Sequence, residues 1–307
     1  MVVSNIFPPE LDGASFRRQS GGHYNEEMAV LKPFGRPAAV GRHPSEDGSM
    51  FAPAEAVRFL DDAHRSRASY QNLPAAIAPQ TVAEAYDVQE ALCVRWAERL
   101  GPVAGLKIAT TTKVMQQLMG IDHPCGGMIF SSRVHRSPAS IRKADYVNVR
   151  IECELAVKLG RALSPAARPY TRDSVRPAVS EIMAAFELIE DRHANYKTCN
   201  ALSLIADNAW NGGIVVAAPK PLPTSLELDG IAGRLLRNGK LEASGQTDDP
   251  LGALAWLANL AIERGRPIER GMLVISGSVV TTVDIEPGER LDFVLDGVGE
   301  ASLSAAA

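Results

Sequence analysis

Cysteine is scarce: the 307 residues hold four, Cys93, Cys125, Cys153 and Cys199, and no two stand at Cys-x-x-Cys spacing. That argues against a disulfide scaffold and against a zinc site built on paired thiolates, and it suits a reducing compartment. An excess of positive charge is missing too. The formal net charge is -4, with no lysine/arginine stripe carrying interleaved aromatics, so there is no electrostatic case for nucleic acid. No stretch approaches the roughly 18 apolar residues of a membrane span. The first ten residues lack the basic start and apolar run of a secretory signal, and the cytoplasm is the expected compartment. GxGxxG and GxxxxGK(S/T) loops that cradle phosphates are absent, and Ser276-Gly277-Ser278 lacks the setting of a nucleophile elbow.

What is present is an ordinary globular composition, 46% hydrophobic and 22% charged, in a chain long enough to bury a full-sized core. Residues 1–50 are rich in glycine, proline and charge without sustained periodicity, and read as an extended N-terminal arm. Tyr24, Met28, Val30 and Leu31 are its apolar anchors, suited either to a subunit contact or to packing on the chain's own first helix. Residues 51–102 read as a helical lead-in packed on the core. Its second helix, from Thr81 to Leu100, has a threonine cap, Glu84 as capping-box partner, and Ala85, Val88, Leu92 and Trp96 on one face. Residues 103–307 read as a mainly strand-built catalytic domain. Within it, helices are expected over Thr112 to Met119, Val179 to about Ile189, and Pro250 to Arg264. Terminal strands are expected over Gly271 to Val283 and Arg290 to Ser304, joined as a hairpin by the turn Glu286-Pro287-Gly288-Glu289.

The stretch from Val149 to Val157 carries the most information. Read as a strand, it turns Glu152 and Glu154 to one side and Ile151, Cys153 and Leu155 to the other. Like charges side by side inside a fold are unfavourable without a cation, protons or water. A third carboxylate, Glu187, lies in the apolar run Ile182 to Ile189. Three acidic oxygens with room for water suit Mg²⁺ or Mn²⁺ better than zinc. The competing reading is a Glu-x-Glu on the wet face of an edge strand.

Several islands in order carry a resemblance: Ala85-Tyr86-Asp87-Val88-Gln89, Gly105-Leu106-Lys107-Ile108-Ala109-Thr110, Gly120-Ile121-Asp122-His123-Pro124, the pair within Glu152-Cys153-Glu154, Phe186 to Arg192, Ala206-Asp207-Asn208-Ala209 and Ser276-Gly277-Ser278-Val279. Together they resemble the 2-oxopent-4-enoate hydratase branch of the fumarylacetoacetate hydrolase superfamily, which also holds 4-oxalocrotonate decarboxylases. The resemblance covers roughly residues 54 to 306. It implies an α+β fold with a mixed, strongly curved β core and flanking helices, assembled as a homodimer or higher homo-oligomer. It implies a metal-dependent lyase taking a small 2-oxo or 2-hydroxydienoate acid in aromatic catabolism, with Glu152, Glu154 and Glu187 as ligands of Mg²⁺ or Mn²⁺. Lys107 falls on the family's active-site lysine, placed for proton transfer or for substrate charge. Glu190 matches an acidic position there, with a surface ion pair as its plain alternative. Ser278, beside Gly277, is a candidate contact for a substrate carboxylate, with a core strand as the alternative reading.

The departures redirect the chemistry. Family hydratases commonly show Gly-Tyr-Lys-Ile-Gly, where this chain has Gly105-Leu106-Lys107-Ile108-Ala109; the aspartate proposed to assist proton transfer is replaced by Cys125. A thiol is a poor substitute for a carboxylate base, and His123 is the group nearest in sequence that titrates near neutrality. Hydration leads as the expected reaction, and Cys125 shifts weight toward decarboxylation of a 2-oxo acid. Carbon–carbon hydrolysis of an acylpyruvate-like diketone ranks third, because the histidine-bearing segment of related hydrolases is missing. A catalytically weak binding or scaffold subunit, associated with a related lyase, is the non-enzymatic alternative.

Overall fold

The structure, a computed structural model, describes residues 53–306, so the arm expected over residues 1–50 lies outside the described residues. Helices α1 (Pro53–Ser66) and α2 (Val82–Leu100) come first, followed by β1 (Val103–Ala109), α3 (Lys113–Met119) and β2 (Cys125–Phe130). Then come β3 (Val134–Arg136), β4 (Ala139–Arg142), β5 (Val149–Leu159), α4 (Arg172–Val175) and β6 (Val179–Glu190). The middle holds α5 (Ala201–Ala206), β7 (Asn211–Val216), β8 (Lys220–Pro221), β9 (Ala232–Arg237) and β10 (Lys240–Gln246). The chain continues through α6 (Pro250–Glu263), β11 (Leu273–Ser278), β12 (Val283–Asp284), β13 (Arg290–Leu295) and β14 (Gly299–Ala306).

The strands form two sheets. The larger runs β2-β1-β11-β5-β6-β7-β3, with β12 added to β5 and β8 to β6; the smaller runs β10-β9-β13-β14-β4. Both mix parallel and antiparallel pairs: β1 with β11 and β3 with β7 are parallel, whereas β5 and β6 are antiparallel. Although β2 and β7 are far apart along the larger sheet, they approach one another in space, which requires strong curvature. The two ends of that path, β2 and β3, are joined by a single 3-10 turn at Ser131–Arg133. The sheet curls until its edges meet without closing into a barrel.

Alternation along β5 and β6 decides where each face goes. Ile151, Cys153, Leu155, Phe186 and Leu188 are fully buried in the main core together with Leu291, Phe293 and Leu303 of the smaller sheet. Phe186 and Phe293 meet with ring centroids 6.1 Å apart. Burying each such side chain contributes about 1.5–3 kcal/mol, which fixes the register and leaves the glutamates on the opposite face. Over β2 lie the buried Val88, Leu92 and Trp96 of α2, in one cluster with Met128 and Phe130. The α2 cap forms as expected at Thr81, which accepts the Glu84 N–H at 3.2 Å; the Glu84 carboxylate reaches back one residue further, to the N–H of Gln80 at 2.7 Å.

Three expectations are corrected. Arg290 to Ser304 is not one strand but two, β13 and β14, paired antiparallel. The segment Val179 to Ile189 is not a helix but β6, a strand between β5 and β7 with an almost unbroken run of buried residues. A strand covered on both faces reads as continuously apolar and loses its period of two. The turn at residues 286–289 does not close a hairpin between the terminal strands. It carries the chain from β12 in the larger sheet to β13 in the smaller, where β13 pairs with β14 and β9. Leu291, Phe293 and Leu295 all face the core, so their burial, not the turn, chooses the partner. No described helix is long and apolar enough to cross a membrane.

Candidate metal centre

On the β5–β6 ladder Glu152 stands directly opposite Glu187, and Glu154 follows two residues along β5 on the same face. One carboxylate oxygen from each lies within 4.8 Å of the others. Directly opposed like charges destabilise a strand pair, and here two of the three, Glu154 and Glu187, are 0% exposed. Lys107 reaches the same face from β1, itself 2% exposed, with Nζ 3.1 Å from Glu187 Oε1. Gly127 pairs with Lys107 across β1–β2 and makes room for it: a Cβ at Gly127 would meet Lys107 Cγ and Cδ at 3.1 Å and the Asn208 carbonyl oxygen at 2.9 Å.

Each glutamate is aimed by a different element. Glu152 Oε1 accepts the Thr282 hydroxyl at 2.6 Å, ahead of β12. Glu154 Oε2 accepts the N–H of Gly277 at 2.7 Å, at a backbone φ of +105° that glycine adopts without strain. Glu187 Oε1 accepts Asn211 Nδ2 at 2.9 Å. The remaining oxygens of the buried pair, Glu154 Oε1 and Glu187 Oε2, have no hydrogen-bond partner among the described residues. Charge is as unbalanced as hydrogen bonding, with one ammonium against three carboxylates among the described residues. Burial, reinforced by Glu187 and Glu152, holds the Glu154 carboxyl well above the usual carboxylate range. At Glu187 burial pushes the carboxyl up to about 7 against the pull of Lys107. At Lys107 burial opposes the ammonium, but Glu187, Glu152 and Glu154 outweigh it and hold the group above its ordinary value.

The lysine is fixed by a strained turn. Nζ also donates to the Ala209 carbonyl at 3.1 Å. Asn208, Ala209 and Trp210 have φ of 54°, 45° and 58°, three consecutive non-glycine residues in the left-handed region, each at a cost of about 1–2 kcal/mol. The Asn208 side chain secures the turn, accepting the Met128 N–H at 2.7 Å and donating to the Met128 carbonyl at 2.9 Å. At Asp207-Asn208, then, α5 ends, the backbone reverses hand, and a carbonyl is delivered to Lys107.

Not all the expected residues gather here. Glu190 is three residues beyond Glu187 and so turns to the opposite side of β6, where its carboxylate accepts the N–H groups of Val147 at 3.1 Å and Asn148 at 2.9 Å. Ser278 is exposed and donates to the Val280 carbonyl at 2.6 Å; the glycine before it, not the hydroxyl, reaches the cluster. His123 is held to its neighbour, Nδ1 lying 2.7 Å from the Pro124 carbonyl oxygen, and its ring stacks near Trp256. Cys125 is fully buried with Thr110 Oγ1 at 3.4 Å, and burial pushes its thiol up against the pulls of Thr110 and Lys107. Thr282 and Asn211 were not singled out from sequence. Asn211 does carry a signal, a polar residue opening the Asn-Gly-Gly start of an otherwise apolar strand; Thr282 carries none.

The donor set fits a hard divalent cation. It offers oxygen ligands alone, a net negative charge, and two buried oxygens that lack a donor among the described residues. Half-buried Glu152 leaves one side of the cluster reachable.

No family model matches the sequence. Over 230 residues the chain is 30% identical to a 2-hydroxyhexa-2,4-dienoate hydratase of Comamonas testosteroni, spanning 73% of this chain and 86% of that protein. Over 231 residues it is 29% identical to a 4-oxalocrotonate decarboxylase of a Pseudomonas species, spanning 73% and 87%. Its fold superposes on the 4-oxalocrotonate decarboxylase of Pseudomonas putida G7, solved with magnesium and adipate, with a TM-score of 0.76 at 22% identity over 86% of this chain and 99% of that one. The mixed, curved β core with flanking helices is the fold they share.

Proposed function

The chain belongs to the hydratase and decarboxylase branch of the fumarylacetoacetate hydrolase superfamily, and on that premise we propose that it is a divalent-cation-dependent lyase acting on a small 2-hydroxydienoate or 2-oxo acid, with hydration as its reaction. The observation that carries this reading is the buried triad Glu152, Glu154 and Glu187, two of whose oxygens lack partners, with Lys107 locked against it. Held by those three carboxylates, Mg²⁺ or Mn²⁺ supplies Lewis acidity that polarises a 2-oxo carbonyl. In hydration of a 2-hydroxydienoate, the proton leaves O2 and one is added at C5, leaving C3–C4 as the double bond conjugated with the 2-oxo group. Water oxygen then bonds to C4, and C3 takes a proton. Lys107 is the one ammonium that the described residues bring to the triad, and its role is to carry a proton or to neutralise the substrate carboxylate. Thr282 and Asn211 keep Glu152 and Glu187 aimed.

Cys125 favours a second reading. A buried thiol with its proton held on cannot stand in for a carboxylate base, and vinylogous decarboxylation of a 2-oxo acid has less need of a water-activating group. A homodimer or larger oligomer in the cytoplasm belongs to the same reading, supported by the family resemblance and the sparse cysteines. The test is turnover of 2-hydroxypenta-2,4-dienoate and of 4-oxalocrotonate with Mg²⁺ or with chelator. The expected product is a 4-hydroxy-2-oxo acid from the first; carbon dioxide from the second alone selects decarboxylation. Glu152→Ala should abolish cation-dependent turnover in a folded protein. Full activity in chelator, with no divalent ion bound, would end the proposal.

A further inference from the structure

Beyond the triad, a cavity of about 120 Å³ has a strongly basic wall, to which His64, Arg67, Arg99, Arg133 and Arg192 all contribute. The cations are graded by depth: Arg67 and Arg99 are exposed, Arg133 is half-buried, and Arg192 is 1% exposed. Two of them are paired elsewhere, Arg99 with Asp61 at 3.3 Å and Arg192 with Asp207 at 2.5 Å. Arg67 gives Nη2 to the carbonyls of Ala144 and Tyr146, at 2.8 and 2.7 Å, and Arg133 bonds the Tyr146 side chain. Neither has a carboxylate partner among the described residues.

The acidic groups of the wall are already engaged. Asp145 is held by Arg142 at 2.7 Å, and Glu190 by the two backbone N–H groups of Val147 and Asn148. At the deep end, Arg192 has two nitrogens, Nε and Nη1, with no acceptor among the described residues. A buried charged donor without a partner is unfavourable. Water can satisfy the donor but brings no charge to set against Arg67 and Arg133. A group with two or more anionic oxygens does both, and guanidinium groups match carboxylate and phosphate geometry. Four arginines against the two carboxylates Asp145 and Glu190 leave the lining net positive, which favours an incoming anion.

We infer that this cavity is a binding site for a small oxyanion, a carboxylate or phosphate group, held by Arg67, Arg133 and Arg192. The cavity shares Asn211 with the candidate metal centre, so its test is run with the full chain in chelator, with no cation on the triad. Inorganic phosphate and succinate are titrated separately by calorimetry at low ionic strength. Saturable binding of at least one of them, with Kd of about 1 mM or below, is expected; which one binds identifies the oxyanion. Arg67→Gln and Arg133→Gln should each weaken it about tenfold or more with unchanged melting temperature, while Arg234→Gln, at an exposed pair with Asp296 elsewhere, should leave it intact. Absence of saturable binding for both anions overturns the inference. So does equal binding by the parent chain and by both cavity variants.

Discussion

Two buried ionic groups sit within one chain and are balanced in opposite ways. Asp207 is 1% exposed and has two cationic or potentially cationic neighbours, Arg192 Nη2 at 2.5 Å and His64 Nε2 at 2.6 Å. Burial works against its charge, yet His64 and Arg192 win, and the carboxyl lies below the usual range. The triad has the reverse ratio, and there burial and mutual repulsion win: Glu187 is pushed up to about 7 and Glu154 well above its ordinary value. Depth is the same, so the difference lies in the partners. A buried carboxylate provided with cations ties elements together, here α1 to the loops around α5. Buried carboxylates left short of cations form a site that something else must complete.

The largest effect that tests this contrast is on stability. Asp207→Asn should cost about 3–5 kcal/mol, because it strands Arg192 as an uncompensated buried charge; urea unfolding at pH 7 measures it. Glu154→Gln in the cation-free protein should cost nothing or stabilise, since the amide resembles the protonated acid that burial already favours. Equal losses from the two substitutions would erase the distinction.

Next comes linkage to protons and cations. Unfolded, Glu154 and Glu187 release their protons near 4.5; folded, Glu187 does so only near 7 and Glu154 well above its ordinary value. Over that window the folded state holds more protons, so in chelator the melting temperature should fall as pH rises from about 4.5 to 7. Mg²⁺ at 100 times its Kd should return about 2.7 kcal/mol, roughly 5–10 °C, above pH 7. It should return progressively less as pH falls and the carboxylates protonate. A Glu187→Gln protein showing the same rise would place the cation somewhere else.

The smallest effect sharpens the contrast at the lysine. Ala209→Gly should relieve the left-handed strain and stabilise the fold by about 0.5–1 kcal/mol. Loosening the carbonyl that holds Lys107 should lower kcat roughly 10-fold with little change in cation affinity. A rise in both stability and turnover would show that the turn does not position the lysine.

How much of this was readable beforehand depended on whether neighbours or the chain itself set the pattern. Along β5 the alternation of Glu152 and Glu154 with Ile151, Cys153 and Leu155 is local, and it shows one polar and one apolar face directly. In β6 the same physics is hidden, because both faces are covered and its alanines, methionine and glutamates favour helix in isolation. Glu187 could therefore be named, from its place in an apolar run and from the family resemblance, but not given a face. Glu190 groups with it in sequence, since the two match neighbouring family positions, but strand geometry sends it the other way. The contacts made by Asn211, Thr282 and the Gly277 N–H come from parts of the chain far from β5, and no local pattern announces such partners.

The position of β11 has a consequence for how the protein is made. Leu273–Ser278 lies between β1 and β5, so two strands formed early in synthesis must wait for one that emerges late. Gly277, which aims Glu154, and Thr282, which aims Glu152, arrive on the same late segment. Contacts of such sequence separation fold slowly. A nascent chain that has already displayed all three glutamates and Lys107 therefore still lacks the anchors that hold two of them, and the triad takes its final geometry only once the last strands have been added.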